Sequence, residues 1–241
     1  WRKGLFYDFS PLSFAPRDYD LKALCGQMYA YLNFQHLFRM TGSDWDKLFM
    51  QRWFPFTLLK QATIKRLLSY VREGWDIDEL LDQITTEVNA SISLKVQSWR
   101  RNKYFKDHCD IINTAVERHL AGDFVSANSI LYPRIEGIMR SYHLDSSSGI
   151  KATQSGLTKS VINGSGLGQN EFSLLLPSKF HRYLDEVYFE DFSPNNPKSL
   201  SRNTVSHGVT PTSCFDLKGS LLGLLILDQL FYYLHTPTEE L

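Results

Sequence analysis

Arg202, Asn203 and His207 stand close together in Ser201-Arg202-Asn203-Thr204-Val205-Ser206-His207-Gly208. Their side chains suit phosphodiester cleavage. Histidine titrates nearest neutrality, so it can take a proton from a nucleophile or give one to a leaving oxygen. Arginine stays charged and can fork two hydrogen bonds onto a phosphate as negative charge develops there. Asparagine can orient either the imidazole or the phosphate. RNA brings its own nucleophile, the 2′-hydroxyl, so an acid/base histidine and a phosphate clamp suffice. No carboxylate or His/Cys cluster stands at metal-ligand spacing, and neither a metal nor a cofactor is expected.

These residues need a helix. On one, Asn203 and His207 are four apart and share a face with Leu200 and Thr204, while the long Arg202 side chain can swing to the same place. Asn196-Pro197 reads as N-cap followed by first helical position. The predicted helix therefore runs from Pro197 to His207, with Gly208 in the left-handed position after it and Pro211 blocking continuation. It has few apolar residues, so its polar ones should be presented to something. A purely structural use competes: His207 can rest against the helix dipole, and Arg202 can bind a carboxylate such as Glu136.

The elements that must hold this helix are helical throughout. Helices are predicted from about Leu21 to Met40 and then after a cap at Ser43 or Asp44. Ile64, Leu67, Leu68 and Val71 make one apolar stripe ended at Glu73-Gly74. A second stripe, Ile77 to Val88, is capped by Asp76 and is expected to continue to about Trp99. Ile111, Ile112, Ala115, Val116 and Leu120 form another stripe. Asp123 then caps a long helix from Phe124 to about Tyr142, with Phe124, Ala127, Leu131, Ile135, Ile138 and Tyr142 buried and a bend expected at Pro133. Residues 145–170 read as a flexible insert with a short helix near Leu157. Further helices are predicted over Phe172–Phe189 and from about Asp216 to Leu234. The fold class is all-α.

One further stretch, Trp99 to Lys106, interleaves cations with aromatics. Arg100, Arg101 and Lys103 could take phosphates while the rings take bases. The favoured alternative is a solvated helix junction with its rings turned inward.

Composition sets the outer limits. The 241 residues are 43% hydrophobic and 14% aromatic, enough for one large or two small domains. Lys+Arg and Asp+Glu are both 26, so no global basic field exists and any nucleic acid must be held by a local patch. Three distant cysteines, Cys25, Cys109 and Cys214, fit a reducing compartment, and a cytoplasmic location is expected. The apolar run Leu221–Leu234 contains Asp228 and Gln229 and reads as a core helix, not a membrane span. No signal peptide is visible. The opening on Trp1 is expected of a fragment of something longer.

The Arg-x4-His stretch resembles the signature of the HEPN superfamily, in the variant with Asn after the Arg and Gly after the His. Upstream, Leu131-Tyr132-Pro133-Arg134-Ile135-Glu136-Gly137-Ile138-Met139-Arg140 resembles the Pro-x-Ile-Glu-Gly helix of the abortive-infection (Apea-like) branch. The order also matches: two helices, an insert, the Arg/His helix and a long apolar closing helix. The similarity covers about His108 to Leu234. It divides the chain into a helical region, 1–107, of unassigned role and a HEPN-like domain, 108–241. The interior Thr204 and Ser206 are more polar than the residues often found there.

The resemblance implies a helical bundle, often a homodimer, whose two Arg/His helices face each other across a two-fold axis. It implies a metal-independent endoribonuclease of defence or toxin systems that leaves a 2′,3′-cyclic phosphate. His207 would be the general acid/base, Arg202 the phosphate binder, Asn203 the orienting residue and Glu136 a support for Arg202. Pairing two copies of Arg202 would let a neutral chain hold RNA. The competing expectation is a non-catalytic HEPN-like module for dimerisation, partner docking or ligand sensing within a larger protein.

Overall fold

The computed structural model describes residues 21–146, 152–164, 173–193 and 199–234. Among these residues there are twelve α-helices and no β-strand, as the apolar spacing requires. They are α1 (Leu21–Asn33), α2 (Gln35–Phe38), α3 (Gly42–Met50), α4 (Gln61–Glu73), α5 (Leu81–Asn89) and α6 (Ile92–Trp99). Then follow α7 (Cys109–Leu120), α8 (Phe124–Ser146), α9 (Gln154–Gly164), α10 (Pro177–Tyr183), α11 (Arg202–Ser206) and α12 (Leu217–Leu234).

Several boundaries differ from expectation for local reasons. The first predicted helix breaks at Phe34 into α1 and α2. Thr41, not Ser43 or Asp44, caps α3: its hydroxyl accepts from Asp44 N while Asp44 accepts from Thr41 N, a reciprocal cap. Asp76 does cap the turn Ile77–Leu80 that leads into α5, and Gly74 ends α4 in the left-handed region. The helix expected to reach Trp99 is interrupted at Ala90-Ser91. α10 starts at Pro177, not Phe172, and widens into one π-helical turn over Leu184–Tyr188. α9 supplies the short helix expected around Leu157, while residues 147–151 and 165–170 of the insert lie outside the described residues.

The long α8 organises the bundle, packing against α7, α9, α11 and α12. It buries two stripes. Ala127, Leu131, Ile135 and Ile138 form the predicted one, whose ends Phe124 and Tyr142 are only half-buried. Asn128, Tyr132, Glu136, Met139 and His143, also at i+3/i+4 steps, form a second. A helix with neighbours on most sides must bury more than one face, and here the second face is mostly polar. α7 likewise turns His119, not Leu120, into the core, since Leu120 is exposed.

α12 closes the bundle. It is the one described helix long and apolar enough to cross a membrane by length and composition, and 78% of it is buried in the protein. Gly219 and Gly223, one turn apart, let α8 come close. A methyl group at Gly223 would meet Leu131 Cδ1 at 3.1 Å, and one at Gly219 would meet Leu200 Cδ2 at 2.4 Å. The polar interruptions of α12 have partners. Lys95 Nζ lies 3.2 Å from the buried Asp228 carboxylate, and Gln229 Oε1 accepts from Thr57 N at 3.0 Å. One buried apolar cluster runs from Leu37 to Leu234, crossing residue 107. Phe49, Phe54 and Phe56 from the first half meet Tyr183 of α10 at ring-centroid distances of 5.7, 5.4 and 5.5 Å.

His119 joins α7 to two other helices, with Nδ1 2.7 Å from Ser220 Oγ and Nε2 3.0 Å from Asn89 Oδ1. A neutral ring satisfies both, and burial holds its pKa below the ordinary histidine value. The unfolded chain therefore takes up this proton first. Stability from the site is fully present above about pH 6.5 and is lost as pH falls below that value. Urea unfolding from pH 7.5 to 5 is expected to show this loss, with a shallower slope in His119→Gln; equal slopes would contradict the assignment.

Candidate active site

α11 is set in place before it begins. Arg52 stands just after α3 with φ 64°, a left-handed conformation that costs a side-chain-bearing residue about 1 kcal/mol. That strain is accompanied by several anchors. Tyr183 Oη donates to Arg52 O at 3.0 Å. The Arg52 guanidinium donates to Val187 O at 2.9 Å, to Leu200 O at 2.5 Å and to Glu190 Oε2 at 2.5 Å. Ser199 Oγ donates to the same Glu190 oxygen at 2.7 Å. Burial works to lower the Arg52 pKa, but Tyr132, Glu190 and Tyr183 beside the guanidinium together hold it above its usual value. Leu200 is buried against Gly219.

The helix starts later than the sequence predicts. Residues 199–201 are not helical, so the helix does not run from Pro197; Asn196 and Pro197 themselves lie outside the described residues. Ser201 is the N-cap. Thr204 N donates to Ser201 Oγ at 3.2 Å, and Ser201 N donates to Thr204 Oγ1 at 2.9 Å. Thr204 also donates to Ser199 O at 3.0 Å. The polar Thr204 is therefore buried with its hydroxyl satisfied, while Ser206 is exposed. At the other end Gly208 has φ 68° as expected. Gly208 N donates to Val205 O at 3.1 Å and Val209 N to Thr204 O at 3.0 Å, a Schellman closure.

The three candidate residues leave this short helix in different directions. His207 is its C-terminal flanking residue, exposed, with its ring 5.5 Å from that of Phe192. The imidazole has no hydrogen-bond partner among the described residues. Arg202 is mostly covered, and its Nε faces Glu136 Oε2 on α8. Its Nη1 donates to Asn203 Oδ1 at 3.2 Å, and Nη2 has no partner among the described residues. Asn203 does not share the exposed face with His207. It is buried, donates through Nδ2 to Phe189 O at 2.8 Å, and accepts from Gln154 Nε2 at 2.6 Å. What it orients in this arrangement is the guanidinium.

Glu136 is buried, its side chain only 4% exposed. Oε1 accepts from Arg140 Nε at 2.6 Å, so the carboxylate lies between two arginines. A buried carboxylate is tolerated when it is paired in this way. The adjoining Gly137 has a packing reason, because a Cβ there would meet His108 Cε1 at 3.0 Å.

Arg100, Arg101 and Lys103 lie elsewhere in sequence, between α6 and α7. Arg100 pairs with Asp110 at 2.7 Å and Lys103 with Asp145 at 2.6 Å. Trp99 and Phe105 are buried, which removes them as stacking surfaces; Arg101 is exposed. Among the described residues no three His, Cys, Asp or Glu side chains gather as a metal site.

Arg52 and Gln154 carried no sequence signal: each acts across a large separation in the chain, and neither belongs to a motif. Arg140 stands one turn after Glu136 on α8, the spacing at which helix side chains pair. No family model, curated protein or solved structure matches the chain.

Glu136→Gln is expected to cost about 1–3 kcal/mol, since charge-assisted hydrogen bonds to two partly exposed arginines are lost. Arg101→Ala is expected to change stability by less than ~0.5 kcal/mol. Urea midpoints check both, and equal midpoints for the two variants would contradict the role given to Glu136.

Proposed function

We propose that the chain is a HEPN-type, metal-independent endoribonuclease that acts as a homodimer. The observation that carries this reading is the division of labour on α11. Arg202 is held by a buried carboxylate with Nη2 left over, while His207, five residues on, is exposed with its imidazole unengaged. An anchored guanidinium with a donor to spare is what a phosphate clamp needs, and an exposed imidazole is what proton transfer needs.

In the proposed reaction the RNA 2′-oxygen attacks the adjacent phosphorus and loses its proton to one His207. The P–O5′ bond breaks, and the 5′-oxygen takes a proton from the other His207 across the two-fold axis. The products are a 2′,3′-cyclic phosphate and a 5′-hydroxyl. Arg202 Nη2 binds a non-bridging oxygen as its charge grows, and Asn203 and Glu136 hold that guanidinium. Two protomers supply two arginines and two histidines, which offsets the zero net charge of each chain. The RNA partner and the defence or toxin setting rest on the family resemblance, and the cytoplasmic location on the three distant cysteines.

A second reading, a non-catalytic docking or sensing module, is favoured by the internal engagement of two of the three Arg202 guanidinium nitrogens. The two readings separate in one digest. His207→Ala is expected to lower cleavage of single-stranded RNA by about 10²–10⁴-fold without changing the melting temperature, because the ring is exposed and unbonded. Equal cleavage by wild type and variant would overturn the catalytic role of His207, and no cleavage by either would favour the docking module.

A further inference from the structure

The Glu136 carboxylate carries more positive charge around it than it needs. One arginine neutralises it, yet two are present on different oxygens. Oε1 lies 2.6 Å from Arg140 Nε and 2.5 Å from its Nη2, while Oε2 faces Arg202 Nε. The three formal charges, −1, +1 and +1, leave a surplus of one. That surplus lies toward solvent, because the Glu136 side chain is 4% exposed, Arg202 21% and Arg140 46%.

Arg140 is half-exposed, so its bond to Glu136 is partly screened by water, and Arg202 alone already balances the single carboxylate charge. Geometry gives Arg140 another role. Both guanidiniums contact the same small carboxylate, one on each oxygen, so they are held close together. Arg202 keeps Nη2 unused, and Arg140 keeps Nη1 without a partner among the described residues. A phosphodiester has two non-bridging oxygens and one negative charge, which matches two spare donors and a surplus of one positive charge.

We infer that Arg140 is a second phosphate-contacting residue, forming with Arg202 a two-guanidinium clamp built on Glu136. The inference rests on the reading of Arg202 as a phosphate binder and deepens it, placing the substrate's phosphate over α8 as well as α11. It also gives a neutral chain a local cationic site within each protomer.

The test uses the full chain and two probes. The first is a fluorescein-labelled 2′-O-methyl oligonucleotide, which lacks the attacking hydroxyl and is not cut. The second is inorganic phosphate, followed by its effect on the melting temperature. Arg140→Gln is expected to bind the oligonucleotide about tenfold more weakly. Its log–log salt slope should be shallower by about 0.7, the loss of one phosphate contact to a single strand. Wild-type affinity and slope in Arg140→Gln would overturn the clamp. If wild type ignores the oligonucleotide but phosphate stabilises it in an Arg140-dependent way, the clamp stands as an anion site and the ribonuclease reading fails. If neither probe responds to Arg140→Gln, the clamp fails. Should Arg140→Gln melt well below wild type, Arg140→Lys decides. The clamp predicts a retained salt slope with weaker affinity, since the charge stays and the fork is lost, and wild-type affinity would contradict it.

Discussion

A carboxylate taken out of water costs several kcal/mol unless cations meet it, and Glu136 is such a carboxylate. Much of the site follows from meeting that demand. Arg140 reaches it along α8, one turn away, but Arg202 must arrive from another helix. α11 therefore has to lie across the second, mostly polar stripe of α8. That placement needs Leu200 seated against Gly219 and the α8–α12 spacing set by Gly223 against Leu131. It also needs the strand of chain before α11 fixed, which Arg52 does through Leu200 O and Glu190. Arg202 is thus over-determined, while His207, at the far end of the same short helix, is left exposed.

The first hundred residues take part in this. Arg52 reaches the approach to α11, Thr57 bonds Gln229 of α12, and Phe49, Phe54 and Phe56 pack on α10. The resemblance stops near His108, yet these contacts make residues before it part of what shapes the Arg202 helix. A truncation that kept only the later residues would remove Arg52 and leave Glu190 and Leu200 O without their guanidinium.

Much of the helical pattern was legible in the sequence. Apolar residues at i+3 and i+4 located α4, α5, α7 and α8, the apolar run Leu221–Leu234 located α12, and Asp76, Gly74 and Gly208 marked ends correctly because their roles are local. The start of α11 was not legible. Asn196-Pro197 is the more familiar cap signal, whereas the actual cap pairs Ser201 with a threonine where Glu or Gln is usual. Asn203 was read as presented, but Gln154 and Phe189 O bury it, and neither contact has a sequence signal. The second stripe of α8 was missed because Asn128, Glu136 and His143 break its apolar pattern. In the Trp99–Lys106 stretch, the favoured reading of a helix junction with its rings turned inward agrees with the burial of Trp99 and Phe105.

The central claim is that the Arg202–His207 helix directs the RNA 2′-hydroxyl against its own phosphate, without a metal ion. The most direct measurement is the chemistry of the cut ends, read by mass spectrometry after RNA is incubated with the protein in excess EDTA. The account predicts 2′,3′-cyclic phosphate on one side of each cut and 5′-hydroxyl on the other, at a rate the chelator does not change. Cleavage that stops with EDTA, or that leaves 3′-hydroxyl and 5′-phosphate ends, would contradict it.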